Sequence, residues 1–481
     1  MNNASFINVG ENSVLNTTHP KVSEAEAAER ITDGSAEQSL VSFVTQCQWH
    51  DIPPEIIHEA KRAILNMLAT AIAGSGEAVV EHYLAVIQGG LGGEGVANCL
   101  GRSERLDILN AAFVNAMSAN VFDIDDTHPT TIIHPTAPVL PALLALSQQR
   151  NVSGRELLLA FVLGAEIECR LGRSMSPEHY GRGWHITSTC GVLGAAVACG
   201  RLLNVDQQTL LWSLANAAVQ AGGLVETLGT MSKSLSVGNA ARNGLLAVLL
   251  AQQGVAGPRA PLLGQYGFLR VYGETPRVGW LLDELGQHWE LATNTYKPYP
   301  VGVVLNPVID ACLQLYGKLA MDTVVAVSVT GNALLKARTD RPGIETGRQS
   351  QVSAQHAVAV VLARGQAGLE EFGDEAVAAM KIYAMDSMLQ FEVDDSMRIE
   401  EASVAVTTNT GQMFCAHVTA ASGSSLNPLT DVQLEQKLRT LVAARCCNCD
   451  VDALLQAVWN LEDLEDASRL ASLAAAPLQG K

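Results

Sequence analysis

Residues 191–200 read GVLGAAVACG, ten positions without a charged side chain and with small residues on every face. At 3.6 residues per turn no polar stripe emerges. A helix here has no side suited to water and belongs at the centre of a helical bundle. Outward from this stretch, 55–73, 106–121, 136–149, 155–174, 189–203, 207–221 and 238–253 keep a helical period. In 55–73, Ile57, Ala60, Ile64, Met67, Leu68 and Ala71 make one apolar stripe. Glycine-containing breaks, GGLGG at 89–93 and NVSG at 151–154, separate the segments.

The pattern changes after about residue 290. VVAVSVTG at 324–331 is β-branched, and SVAVTTNTGQMFCAHVTAA at 403–421 reads as strand, turn, strand. Helical sequence lies between them at 353–363 and 373–385, and resumes at 430–445 and 451–472. The fold expected is mainly α: a large all-helical domain built from both chain ends, 35–290 and 425–475, with a smaller α+β domain inserted at 291–424. No internal repeat or low-complexity tract stands out.

The chain has 481 residues, 48% apolar, 5% aromatic and 17% charged, with a formal net charge of −18. That charge disfavours nucleic acid and anionic membrane as partners, because both need a basic surface. The longest apolar runs, such as LLLAFVLGA at 157–165, are too short to span a bilayer. Residues 1–34 lack a basic start followed by an apolar segment, so they read as a disordered extension rather than a secretory signal, and the compartment expected is the cytoplasm. Six of the ten cysteines (Cys47, Cys99, Cys169, Cys190, Cys199, Cys312) sit in apolar helical sequence, where free thiols act as small hydrophobes. Cys446, Cys447 and Cys449 form a CCxC group that matches no common metal spacing.

Chemistry concentrates in four stretches. VFDIDDTHPTTIIHPTAP at 121–138 brings Asp123, Asp125, Asp126, His128 and His134 into one junction between helical segments. If the preceding helix continued, the acids at 123 and 126 would share a face. The plain reading is a solvated helix end; the apolar setting and the mixture of acid and imidazole favour proton transfer. The same letters fit DxDxT phosphoryl transfer, but that motif ends a strand, and DxDD terpene cyclisation, which needs aromatics that this chain lacks. Asp and His are also metal ligands, yet no second spaced acid cluster completes such a site. YGRGWHITSTCG at 180–191 sets His185 before a helix that Thr187, Ser188 or Thr189 would cap. GTMSKSLSVGNAARNG at 229–244 carries Lys233 among small residues, and TYKPYPVGVVLNPVID at 295–310 carries Lys297 and Tyr299 between prolines. Cations, imidazoles and a carboxylate together suit a small polycarboxylate and proton chemistry beside its carboxylate.

Five stretches in this order, FDIDDTHPTTIIHPTAPVLPAL, GWHITSTCGVLGAA, KSLSVGNAARNGL, YKPYPVG and WNLEDLEDASRL, resemble the MmgE/PrpD family over roughly 36–470. The family contains 2-methylcitrate dehydratases, cis-aconitate decarboxylases and iminodisuccinate epimerases. The resemblance implies a helical domain with an α+β lid, a homodimer, and catalysis without metal or organic cofactor. It places the active site at Asp123, Thr127, His134, His185 and Lys233; Lys297, Tyr299 and His356 are the further substrate contacts expected. Gly302 stands where the family often has histidine, and His356 where its decarboxylases carry a lid tyrosine. Both departures count against a standard cis-aconitate decarboxylase and weaken a plain methylcitrate assignment. The function expected is a cofactor-independent lyase dehydrating a 2-methylcitrate-like acid. The alternatives are decarboxylation of a cis-aconitate-like acid, epimerisation of an amino or imino dicarboxylate, and a non-catalytic helical scaffold.

Overall fold

The central helices cross at distances set by their small residues. An added Cβ at Gly244 would lie 2.5 Å from the Ala195 Cβ and 2.6 Å from the Val192 carbonyl oxygen. A computed structural model describes residues 35–90, 92–93, 95–445 and 447–477. The expected extension over 1–34 and Cys446 lie outside the described residues.

The chain is mainly α-helical. Its principal helices are α1 (Pro54–Gly74), α2 (Ile108–Asn120), α3 (Thr136–Ser147), α4 (Gly154–Met175), α5 (Ile186–Leu202) and α6 (Ser232–Gln252). Later in the chain come α7 (Asn306–Leu315), α8 (Ala354–Arg364) and α9 (Asp431–Arg445). Every residue from Ile186 to Gly200 of α5 is buried, as its lack of a polar face requires. All of α3 is buried too. Helix α4 starts on a capping box, with Ser153 and Glu156 each satisfying the other's backbone N–H. Among the described residues no single helix is long and apolar enough to cross a membrane.

The larger core gathers buried residues from Ala36 to Tyr296 and again from Leu429 to Ala474, so both ends of the chain feed it. A second core runs from Val301 to Val418. It is built on a four-stranded sheet of β3 (Val324–Gly331), β4 (Leu389–Val393), β5 (Ala402–Thr408) and β6 (Met413–Val418), in the order β4-β3-β5-β6. β3 runs parallel to β4 and antiparallel to β5; β5 and β6 form the hairpin expected around the NTGQ turn. The inward side chains Ala402, Val404 and Val406 alternate with half-buried ones, the period-2 signature of a sheet with one covered face. The sequence reading missed β4, and it ran 451–472 as one helix where the chain forms Val451–Trp459 and Arg469–Ala474.

Two short strands join the acid-rich junction to the start of the second core. β1 (Asp126–Thr127) pairs antiparallel with β2 (Thr295–Tyr296), matching Asp126 with Tyr296 and Thr127 with Thr295. The pairing fixes residues 121–127 beside the segment that leads to Lys297.

Candidate active site

Helix α2 stops at Asn120, and three residues later Asp123 adopts φ 58°, in the left-handed region that a residue with a Cβ avoids. The expected shared helical face of Asp123 and Asp126 therefore does not exist, because the chain leaves the helix before reaching them. The turn instead aims the Asp123 carboxylate at two ammonium groups. Lys233 Nζ donates to Asp123 Oδ1 at 2.6 Å and Lys297 Nζ to the same oxygen at 3.0 Å. Burial alone would raise the pKa of Asp123; Lys233 and Lys297 outweigh it and hold the carboxyl far below the usual range. Burial likewise pulls at Lys233, but Asp123 and Asp125 carry its pKa above the ordinary lysine value. Lys233 sits in the first turn of α6 and is buried, not on a surface loop.

His134 lies on the other side of Asp123. Its Nδ1 is 2.7 Å from the Asp126 carbonyl oxygen and 3.3 Å from Thr127 Oγ1. A carbonyl only accepts, so Nδ1 carries the hydrogen and Nε2 keeps a lone pair. That Nε2 stands 3.6 Å from Asp123 Oδ1, and Asp125 Oδ1 is 3.6 Å from Nδ1. Burial lowers the His134 pKa; Asp125 opposes this, and Lys297 and Lys233 reinforce it, leaving the imidazole neutral at pH 7. The His134 backbone N–H donates to Thr187 Oγ1. Thr187 is thus committed to His134 and the N-cap position of α5 is His185, which makes no side-chain cap; the expected hydroxyl cap of this helix is not formed.

His185 has the same tautomer for a different reason. Its Nδ1 lies 3.1 Å from Ser188 Oγ and 3.2 Å from Ser236 Oγ. Ser188 donates its hydrogen to the His185 carbonyl and Ser236 donates to that of Lys233. Both hydroxyls can only accept from the ring, so Nδ1 is protonated and Nε2 is free. Burial, then the charges of Lys233 and His134, push its pKa down to about 3. Beyond Ser188 and Ser236 a cavity of about 360 Å³ opens, edged by Gln220, Asn239 and Asn243.

Three further groups shape the site although the sequence reading gave them no role of their own. Asp126 Oδ2 accepts from Thr136 Oγ1 at 2.5 Å and Asn294 Nδ2 at 2.8 Å, and burial pushes its pKa up to about 7 despite both bonds. Glu168 of α4 is fully buried, with no hydrogen-bond partner on either oxygen among the described residues; burial and then Asp126 raise its pKa well above the ordinary value. Lys437 of α9 is half-buried, and its Nζ turns inward to donate to Asn66 Oδ1, Ile124 O and Lys297 O. His128 has a supporting role: its Nε2 lies 3.1 Å from Glu290, which also pairs with Arg173.

The structure brings Asp123, Thr127, His134, Lys233 and Lys297 into direct contact and sets His185 within reach of their charges. It gives the other two predicted contacts different partners. Tyr299 donates to Asp310 Oδ1 at 2.5 Å. His356 donates from Nε2 to the Glu371 carbonyl at 2.7 Å and borders a separate cavity with Lys381 and Asp386. Both belong to the second core's own network.

Models of the MmgE/PrpD N-terminal domain and the MmgE/PrpD C-terminal domain match residues 38–281 and 299–463. The chain belongs to the MmgE/PrpD family. It is 27% identical over 471 residues to a cis-aconitate decarboxylase of Mus musculus, covering 92% of this chain and 94% of the relative. It is 26% identical over 492 residues to a cis-aconitate decarboxylase of Aspergillus terreus, covering 93% and 99%. In this MmgE/PrpD protein, Asp123, Asp125 and His134 present ligand atoms within 4.8 Å of one another, a spacing a metal ion could use. The same Asp123 oxygen already holds two ammonium groups, and their charge opposes a further cation while favouring an anion.

Proposed function

We propose that this protein is a cofactor-independent lyase acting on a small polycarboxylate. The observation that carries this reading is the pair of ammonium groups, Lys233 and Lys297, sharing one Asp123 oxygen between two neutral imidazoles. A substrate carboxylate would take up the lysine charge left over by Asp123. The lysines would then hold the enediolate-like charge that develops when a proton leaves the adjacent carbon. His134 serves as the base. Its Nε2 is unprotonated, and Asp123 and Asp125 stabilise the imidazolium that forms. His185, neutral and with no carboxylate bonded to it among the described residues, is the second proton-transfer group. Thr127 orients the His134 ring and contacts substrate.

Two neutral imidazoles suit proton abstraction as the first step. This favours dehydration of a 2-methylcitrate-like 2-hydroxy acid, in which the proton His134 takes from carbon returns to the departing hydroxyl and leaves with it as water. The likeness to cis-aconitate decarboxylases over nine-tenths of the chain supports the second reading, decarboxylation of a cis-aconitate-like acid. Incubation with 2-methylcitrate, citrate and cis-aconitate in heavy water separates them by product. Dehydration yields an alkene, decarboxylation releases carbon dioxide, and epimerisation gives only deuterium exchange with inversion. No turnover of any di- or tricarboxylate would refute the proposal. So would full turnover by Lys233→Ala or His185→Ala.

A further inference from the structure

Between the end of α2 and β1 the chain crosses residues 121–124 with almost no backbone pairing of its own, yet Val121 and Ile124 are buried. Its four successive carbonyls are each taken by a side chain. Arg348 Nη1 donates to Val121 O at 2.9 Å, Gln351 Nε2 to Phe122 O at 3.3 Å, Lys297 Nζ to Asp123 O at 3.0 Å and Lys437 Nζ to Ile124 O at 2.7 Å. The donors come from segments far apart in the chain. Arg348 and Gln351 precede α8 in the second core, Lys297 follows β2, and Lys437 lies on α9.

These four residues enclose Asp123 at φ 58°. A non-glycine residue there costs about 1 kcal/mol and persists only where its surroundings over-determine it. Lys437 adds a second constraint. Its three hydrogens go to Asn66 Oδ1, Ile124 O and Lys297 O, so it holds the strand of backbone carrying Asp123 against the one carrying Lys297. Burial lowers the pKa of Lys437 to about 7, but three acceptors around one nitrogen require the ammonium form.

We infer that Arg348, Gln351 and Lys437 are positioning residues that hold Asp123 in its left-handed conformation, with its carboxylate between the Lys233 and Lys297 ammonium groups. The inference rests on the polycarboxylate-lyase reading of that site. It also links the site to the second core, because two of the three donors belong to it.

The test uses the full chain with Gln351→Ala, Arg348→Met, Arg348→Lys and Lys437→Met. With the acid that the wild type turns over, kcat of Gln351→Ala, Arg348→Met and Lys437→Met should fall about 10- to 100-fold. KM should move less than kcat, because Asp123 touches the substrate only through His134 and the lysines. Arg348→Lys keeps a donor and should recover most of the loss. Values of kcat within twofold of wild type for Gln351→Ala and Arg348→Met overturn the inference, even if Lys437→Met fails to fold. If the wild type turns over no polycarboxylate, the functional reading fails, and crystal structures of Gln351→Ala and Arg348→Met still decide this inference. Asp123 should then leave positive φ and its carboxylate should separate from Lys233; retention of both would contradict it.

Discussion

Lys233 and Lys297 set two positive charges against one oxygen of Asp123. Removing one ammonium leaves the other pair intact, so Lys233→Met should fold normally. Its kcat/KM should fall by about 10²-fold or more, because a preorganised charge aimed at the developing anion is lost. Thermal melts beside steady-state kinetics check both halves. Glu168 behaves differently, because nothing among the described residues pairs with it. Its folded-state pKa is raised well above the ordinary 4.5, so the folded form keeps a proton that the unfolded chain releases. The stability it permits is fully present below about pH 4.5 and declines as pH rises toward the folded value. Glu168→Gln removes that dependence. As pH rises above about 5 the variant should gain on wild type in urea unfolding, by at most about 1.4 kcal/mol per pH unit. A constant difference across that range would contradict a buried, protonated Glu168. At this scale local chemistry marked the 121–138 junction, His185 and Lys233, and the family resemblance singled out Asp123 and His134 within the junction. Neither could mark Lys437. That residue sits in DVQLEQKLRTLVAAR, a polar helix where a lysine reads as surface, and only the acceptors at Asn66, Ile124 and Lys297 turn its half-buried side chain inward.

Helices were the most legible elements, because long runs of small apolar residues admit one arrangement. α5 and α6 approach until Gly244 faces the Val192 carbonyl. Gly244→Ala should therefore cost about 1–3 kcal/mol in denaturant unfolding, although alanine is the better helix former. Unchanged or increased stability would show that the crossing has slack. The turn after α2 was not legible in detail. Helical sequence runs up to Val121, and nothing local announces that Asp123 will adopt positive φ; the donors that hold it there lie more than a hundred residues away. β4 was missed for a related reason. LQFEV has mixed polarity, and its strand identity comes from pairing with β3. Thr187 was assigned to a helix cap from its position, whereas the structure commits it to the backbone of His134.

Across the whole molecule, a chain of net charge −18 surrounds the site proposed to take an anionic substrate. Beyond the first few ångströms a polycarboxylate meets repulsion, and salt screens it with a Debye length falling to about 8 Å at physiological ionic strength. kcat/KM for the true substrate should therefore rise as ionic strength goes from about 10 to 150 mM. A fall would mean that the lysines steer at long range. The two cores, fed from 36–296 with 429–474 and from 301–418, correspond to the change from helical to β-branched sequence, which composition displays directly. Their meeting along residues 121–124 is invisible in sequence, since it depends on single donors such as Gln351. The central claim is that Lys233 and Lys297 hold a substrate carboxylate while His134 faces the carbon beside it. A crystal structure with tricarballylate, a tricarboxylate without a leaving group, tests this most directly. The expected result is one carboxylate within about 3 Å of both lysine Nζ atoms and its neighbouring carbon within about 3.5 Å of His134 Nε2. Binding elsewhere, with the lysines still engaged only by Asp123, would contradict the account.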